Sequence, residues 1–182
     1  REFILESHRR KGAEALAAED WEGALGHFDA LLKREPNARE ALEGKALADE
    51  RQSLYGEIER FLARPEGWWS DAGRERAGEL IASAEDVAGE LPKLATLRAR
   101  LTAQLVLAEQ PVNVTLESDN ACNVVVYRVA RLGAFDRHEL TLKPGRYTAV
   151  GTRSGFRDVR REFLVPAGRS PAPVVLRCEE PV

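Results

Sequence analysis

Leu105-Val106-Leu107-Ala108-Glu109-Gln110-Pro111-Val112-Asn113-Val114-Thr115-Leu116 is the stretch at which the texture of the chain changes. On its N-terminal side Ala, Leu, Glu and Arg dominate, and apolar residues recur at steps of three and four, the spacing of a helix face. On its C-terminal side Val, Thr, Gly and Pro dominate. There Val112, Val114 and Leu116 alternate with polar neighbours, the spacing of a half-buried strand. The 182 residues therefore read as a multi-domain chain, α then β. An antiparallel helical bundle is expected over 1–109 and a small antiparallel β-sandwich over 110–182.

Working back from that point, the N-terminal part divides into about five helices. The first covers roughly Glu2 to Ala18. The second runs from an N-cap at Asp20 to Arg34 and stops before Pro36. Its apolar positions Trp21, Ala24, Leu25, Phe28, Leu31 and Leu32 fall on one face. The third runs from about Ala38 to Ala63 with an expected stripe of Leu47, Leu54, Ile58, Phe61 and Leu62, and Arg64-Pro65-Glu66-Gly67 ends it. The fourth starts near Ser70 or Asp71 and continues to about Gly89, burying Leu80, Ile81, Ala84, Val87 and Ala88. The fifth has Pro92 in its first turn and a seam of Leu94, Leu97, Leu101, Leu105 and Ala108.

Within 7–42, Gly12, Ala15, Trp21, Ala24, Phe28, Leu31 and Pro36 fall where a tetratricopeptide repeat places its small, aromatic and proline positions. This stretch resembles one such repeat. No second proline follows 34 residues on, so it stands either as the end of a longer array or as one repeat merged into a bundle.

Working forward, the strands are short and bounded by turn residues. Ser118-Asp119-Asn120 is a turn, Val124 to Val129 a second strand, and Arg131-Leu132-Gly133 turns the chain again. Leu140 and Leu142 precede Pro144-Gly145, a pair suited to a type II turn. Tyr147 to Val150 follow, then Gly155 as a turn or bulge point. Val159, Phe163 and Val165 come next, then Pro166-Ala167-Gly168 and a last strand from Val174 to Cys178. The run Leu140-x-Leu142-x-Pro144-Gly145-x-Tyr147, with Ser118 and Gly133 before it and Gly155-Phe156 and Gly168 after it, resembles the PEGA family of small β-sandwich modules over about 111–178. The tetrapeptide that names the family would fall at Asn120-Ala121-Cys122-Asn123 and is absent. The resemblance implies a bacterial, extracytoplasmic protein doing structural or binding work.

Composition narrows the function classes. Residues 1–110 carry 16 basic and 22 acidic side chains, net −6, and residues 111–182 carry 11 and 8, net +3. Neither half has the strongly basic face that nucleic acid requires. No apolar run approaches the roughly 20 residues of a membrane span. The chain begins at Arg1 and contains no Met, so a removed upstream segment is expected. That segment is a signal peptide or a membrane anchor; with the periplasmic or cell-envelope location that the PEGA resemblance implies, an anchor in the inner membrane is the expectation.

The chemistry-bearing residues do not assemble in the sequence. His8, His27 and His138 are scattered, without the spacing of a metal site. The serines lie in no nucleophile elbow, and no glycine loop cradles phosphate. No enzyme activity, cofactor or metal is expected. Cys122 and Cys178 are either a disulfide pair or two separate buried thiols.

Two groups of residues are candidates for interaction. Trp68 and Trp69 are adjacent, and one of them could be exposed as an anchor; packing of both in a corner between helices is the alternative. Arg153, Arg157, Arg160 and Arg161, with Arg131 and Arg146, could form a basic patch; internal pairing with Asp158 and Glu162 is the alternative. The expected function is a non-catalytic cell-envelope scaffold or adaptor that binds protein partners. A module recognising cell-wall glycan through Arg153, Arg157 and Tyr147, and an accessory region of a membrane-anchored signalling enzyme, are the alternatives. Nothing in the sequence sets an oligomeric state.

Overall fold

Phe28 organises the N-terminal helices. A Cβ built on Gly12 would lie 2.6 Å from its ring, and one built on Gly44 would lie 2.5 Å from it. The ring thus lies between two backbones that only glycine lets approach so closely. It is buried, together with Ala24, Leu31, Ala41 and Ala48.

The computed structural model describes residues 2–87 and 91–182. Its helices are α1 (Glu2–Ala17), α2 (Trp21–Leu32), α3 (Arg39–Ala63), α4 (Asp71–Val87) and α5 (Pro92–Glu109), with a 3₁₀ turn at Pro65–Trp69. The strands are β1 (Val112–Ser118), β2 (Asn123–Val126), β3 (Ala130–Gly133), β4 (Arg137–Leu142), β5 (Gly145–Thr152), β6 (Val159–Val165) and β7 (Val174–Leu176). A helical part followed by a small β part is thus the observed architecture. The chain divides into two units: Arg1–Arg64 with Arg76–Thr102, and Pro65–Glu75 with Ala103–Val182.

In the helical unit, Asp20 caps α2 by accepting a hydrogen bond from the Gly23 amide at 3.0 Å. Trp21, Ala24, Phe28 and Leu31 form the buried face of α2, as its spacing predicts. The face of α3 meets expectation at Ile58 and differs over its first half. Ala41, Gly44, Ala48, Tyr55 and Ile58 are buried, whereas Leu47 is 39% exposed. The reason in the first half of α3 is steric: Phe28 of α2 supplies the large side chain, and Ala41, Gly44 and Ala48 answer it with small ones. On α4, Leu80 and Ala84 are buried, and Ile81 and Val87 only partly so. The expected burial of Ala88 and the helix end at Gly89 lie outside the described residues. Leu94 and Leu101 are the fully buried members of the α5 seam in this unit.

A buried carboxylate starts α5. Glu19 accepts hydrogen bonds from the Lys93 amide at 2.7 Å and the Leu94 amide at 2.9 Å, and from the Tyr55 hydroxyl. Burial alone would raise its pKa. The Tyr55 hydroxyl and the two amides, with Lys93 charge nearby, hold it below the usual carboxylate range. Burial and Glu19 together push the Tyr55 phenol well above its ordinary range.

In the second unit the strands form two sheets, ordered β4-β1-β7 and β3-β2-β5-β6. Their inner faces supply one core: Val112, Val114, Leu116, Val124, Val126, Leu142, Ala149, Val165, Val174 and Leu176, with Cys122 and Cys178. The expected sandwich is mostly antiparallel, but β1 and β7 run parallel. Two turn assignments change. Arg131 to Gly133 belong to strand β3 and pair with β2, and the turn falls earlier, around Arg128 (φ 61°). Gly145 opens strand β5 and is not among the glycines with positive φ. A type II turn would require positive φ there. Gly155 and Gly168 do adopt positive φ.

Cys122, just before β2, and Cys178, just after β7, are joined as a disulfide with Cα atoms 6.0 Å apart, within the usual span. Asp119 braces the same corner. Its carboxylate accepts from the Ala121 and Cys122 amides, each at 2.9 Å, and from the Cys178 amide at 3.1 Å. Burial opposes ionisation of Asp119, yet these amides hold its pKa below the ordinary value.

Candidate functional site

A cleft of about 590 Å³ in the β unit is lined by the 3₁₀ turn, the start of α4, the β2–β3 turn and the β4–β5 corner. Its cations are Arg74, Arg128, Lys143 and Arg146, its carboxylates Glu66 and Asp71, and its aromatic rings Trp69 and Tyr147. Four positive against two negative side chains give it a net positive field.

Local packing fixes the walls. Ser70 caps α4, its hydroxyl accepting from the Gly73 amide at 3.0 Å. A Cβ on Gly73 would lie 1.8 Å from the Gly67 carbonyl oxygen, so glycine there lets the 3₁₀ turn fold directly onto the helix start. Arg74 donates to the Trp68 carbonyl at 3.3 Å and pairs with Asp71. On the opposite wall a Cβ on Gly145 would lie 3.3 Å from the Trp69 carbonyl oxygen. Close approach, rather than a left-handed turn, is therefore what glycine supplies at the Pro144-Gly145 corner.

Tyr147 stacks on Phe163, ring centroids 5.7 Å apart, and its hydroxyl donates to the Lys143 carbonyl at 2.7 Å. Burial raises the Tyr147 phenol above its ordinary range; Arg74 pulls against this and Asp71 adds to it. The phenol is a fixed apolar platform with a committed hydroxyl, suited to packing rather than to proton transfer.

The structure separates the two tryptophans. Trp68 is 2% exposed, while Trp69 is half-buried and reaches the cleft. The arginine group is not a single surface. Arg153 lies over the Phe156 ring, 4.0 Å from its centroid. Arg157 pairs with Glu180 at 3.3 Å and Arg160 with Glu162 at 3.1 Å. Arg160 and Arg161 stand opposite Val150 and Ala149 in the ladder, so they leave the sheet on opposite sides. Of the sequence candidates, Trp69, Arg146 and Tyr147 reach the cleft. Arg74, Arg128 and Lys143 were not singled out by the sequence, because each comes from a different turn or helix start with no local motif.

A second juxtaposition lies in the helical unit. His8 of α1 and His27 of α2 approach to 3.4 Å between their Nδ1 atoms, although 19 residues separate them. Among the described residues, no group of three or more His, Cys, Asp or Glu is arranged around a common point, and no helix is long and apolar enough to cross a membrane.

The chain matches no protein-family model, and no curated protein is significantly similar to it.

Proposed function

We propose that this chain is a non-catalytic adaptor of the bacterial cell envelope that holds an acidic segment of a partner protein in the Trp69–Tyr147 cleft. The observation that carries the reading is the composition of that cleft, four cations and two carboxylates around two aromatic rings. Aromatic and arginine side chains are the groups that supply most binding energy at protein interfaces. Flanking cations accelerate encounter with an acidic partner.

The disulfide supports an extracytoplasmic location, since such bonds persist in oxidising compartments. The PEGA-like run around Pro144-Gly145 and the repeat-like helices around Phe28 support interaction work of this kind. A cell-wall glycan is the second reading, favoured by the half-buried Trp69 ring, which offers a flat face for a sugar.

Binding of a fluorescent glutamate-rich peptide to the whole chain tests the proposal, with purified peptidoglycan in a parallel arm. Salt-sensitive peptide binding that falls at least tenfold in Lys143→Glu/Arg146→Glu, and not in Arg160→Glu, is the expected result. Peptidoglycan binding without peptide binding transfers the site to the second reading. Peptide binding indifferent to Lys143→Glu/Arg146→Glu overturns the cleft.

A further inference from the structure

The His8–His27 pair has the geometry of half a metal site. The ring centroids are 5.6 Å apart and the planes are tilted by 47°. Both side chains are half-buried, so the shared edge is held by helix packing yet open to solvent. The two Nδ1 atoms share one hydrogen bond, in which one ring donates N–H and the other accepts.

Neutral imidazole is also the commonest protein ligand for borderline divalent metals. Zinc–nitrogen bonds are about 2.0–2.1 Å long, and two of them at a tetrahedral angle place their nitrogens about 3.3–3.4 Å apart. The observed 3.4 Å matches that edge. Two ligands at a right angle, as in square-planar copper sites, need a shorter separation of about 2.9 Å.

We propose that His8 and His27 form a two-histidine site for Zn²⁺ or a similar tetrahedral divalent transition metal, joining α1 to α2. On binding, the proton shared between the rings moves from Nδ1 to Nε2 of its own ring. Both Nδ1 lone pairs then face the metal, and no net proton is released. No third protein ligand joins the pair among the described residues. Water, or a donor group from another molecule, fills the two remaining tetrahedral positions, one more than in zinc sites built from three protein ligands. The site is exchangeable rather than a closed structural one. Because the metal binds only when α1 and α2 are packed, it stabilises that packing by mass action.

Calorimetric titration of the untagged whole chain with Zn²⁺ tests this, alongside His8→Ala, His27→Ala, His27→Gln and His138→Ala. One Zn²⁺ per chain is expected, with affinity at least tenfold weaker in the first three variants and unchanged in His138→Ala. Zn²⁺ should raise the unfolding temperature of the parent chain but not of the His8 or His27 variants. Circular dichroism checks that each variant is folded, and His27→Gln keeps a polar side chain of similar size if His27→Ala is not. Absence of binding at millimolar Zn²⁺, or binding indifferent to both His8 and His27, overturns the proposal.

Discussion

Asp119 shows how one side chain can hold the end of a sandwich together. Its two oxygens take backbone amides from both segments that carry the disulfide. Asp119→Asn keeps one acceptor oxygen and turns an NH₂ toward an amide that then has no partner. The cost should be about 1–3 kcal/mol, toward the low end because the carboxylate is half-exposed and screened. The pH dependence has a definite sign. Since the folded pKa is depressed, the contribution of Asp119 is complete above the ordinary carboxylate range of about 4 and fades as pH falls through the lower folded value. Urea unfolding of parent and Asp119→Asn chains at neutral pH and near pH 3 should show the stability gap narrowing with acid. A constant gap would mean that the charge plays no part.

Two glycines of α3 carry opposite consequences for the same substitution. At Gly44 an alanine methyl would meet the Phe28 ring at 2.5 Å, whereas at Gly56 nothing lies within 4 Å. Gly44→Ala should therefore destabilise the helical unit by about 1–3 kcal/mol through overpacking. Gly56→Ala should stabilise it by about 0.4–1 kcal/mol, because alanine loses less backbone freedom on folding. Chemical denaturation midpoints measure both, and two changes of the same sign would refute the packing account. The pair also marks what the sequence discloses at this scale. The face of α2 is legible because large apolar side chains announce their own periodicity. The first half of the α3 face is not, because its contact residues Ala41, Gly44 and Ala48 are small, and leucines such as Leu47 that stay partly in solvent dominate the pattern instead.

At the scale of the molecule, the order of helices then strands is readable from the change in period around Gln110. The long-range arrangement is not. Nothing local in Val174–Leu176 says that it pairs parallel to β1. Nothing in Pro65–Glu75 says that it belongs with the β unit, so a cleft built from both is invisible until the chain is folded. The disulfide is intermediate: two cysteines invite the pairing, but only the fold brings the start of β2 and the end of β7 together. It closes a loop of 56 residues, for which chain entropy gives about 4 kcal/mol. All of that loop lies in the β unit. Reduction, or Cys122→Ala/Cys178→Ala, should lower the stability of the β unit by that order, and its unfolding midpoint with it, and leave the helical transition in place. Calorimetry with and without reductant separates the two, and equal shifts in both transitions would count against independent units.

The carboxylate of Glu19 has a kinetic corollary. A helix ordinarily begins from a cap within its own sequence, but α5 takes its first acceptor from a residue more than seventy positions earlier. The start of α5 therefore has its acceptor only once the corner between α1 and α2 exists. The same dependence runs in reverse. The Lys93 and Leu94 amides become free to exchange with solvent deuterium only when that corner opens, which makes them two native clocks for its breathing.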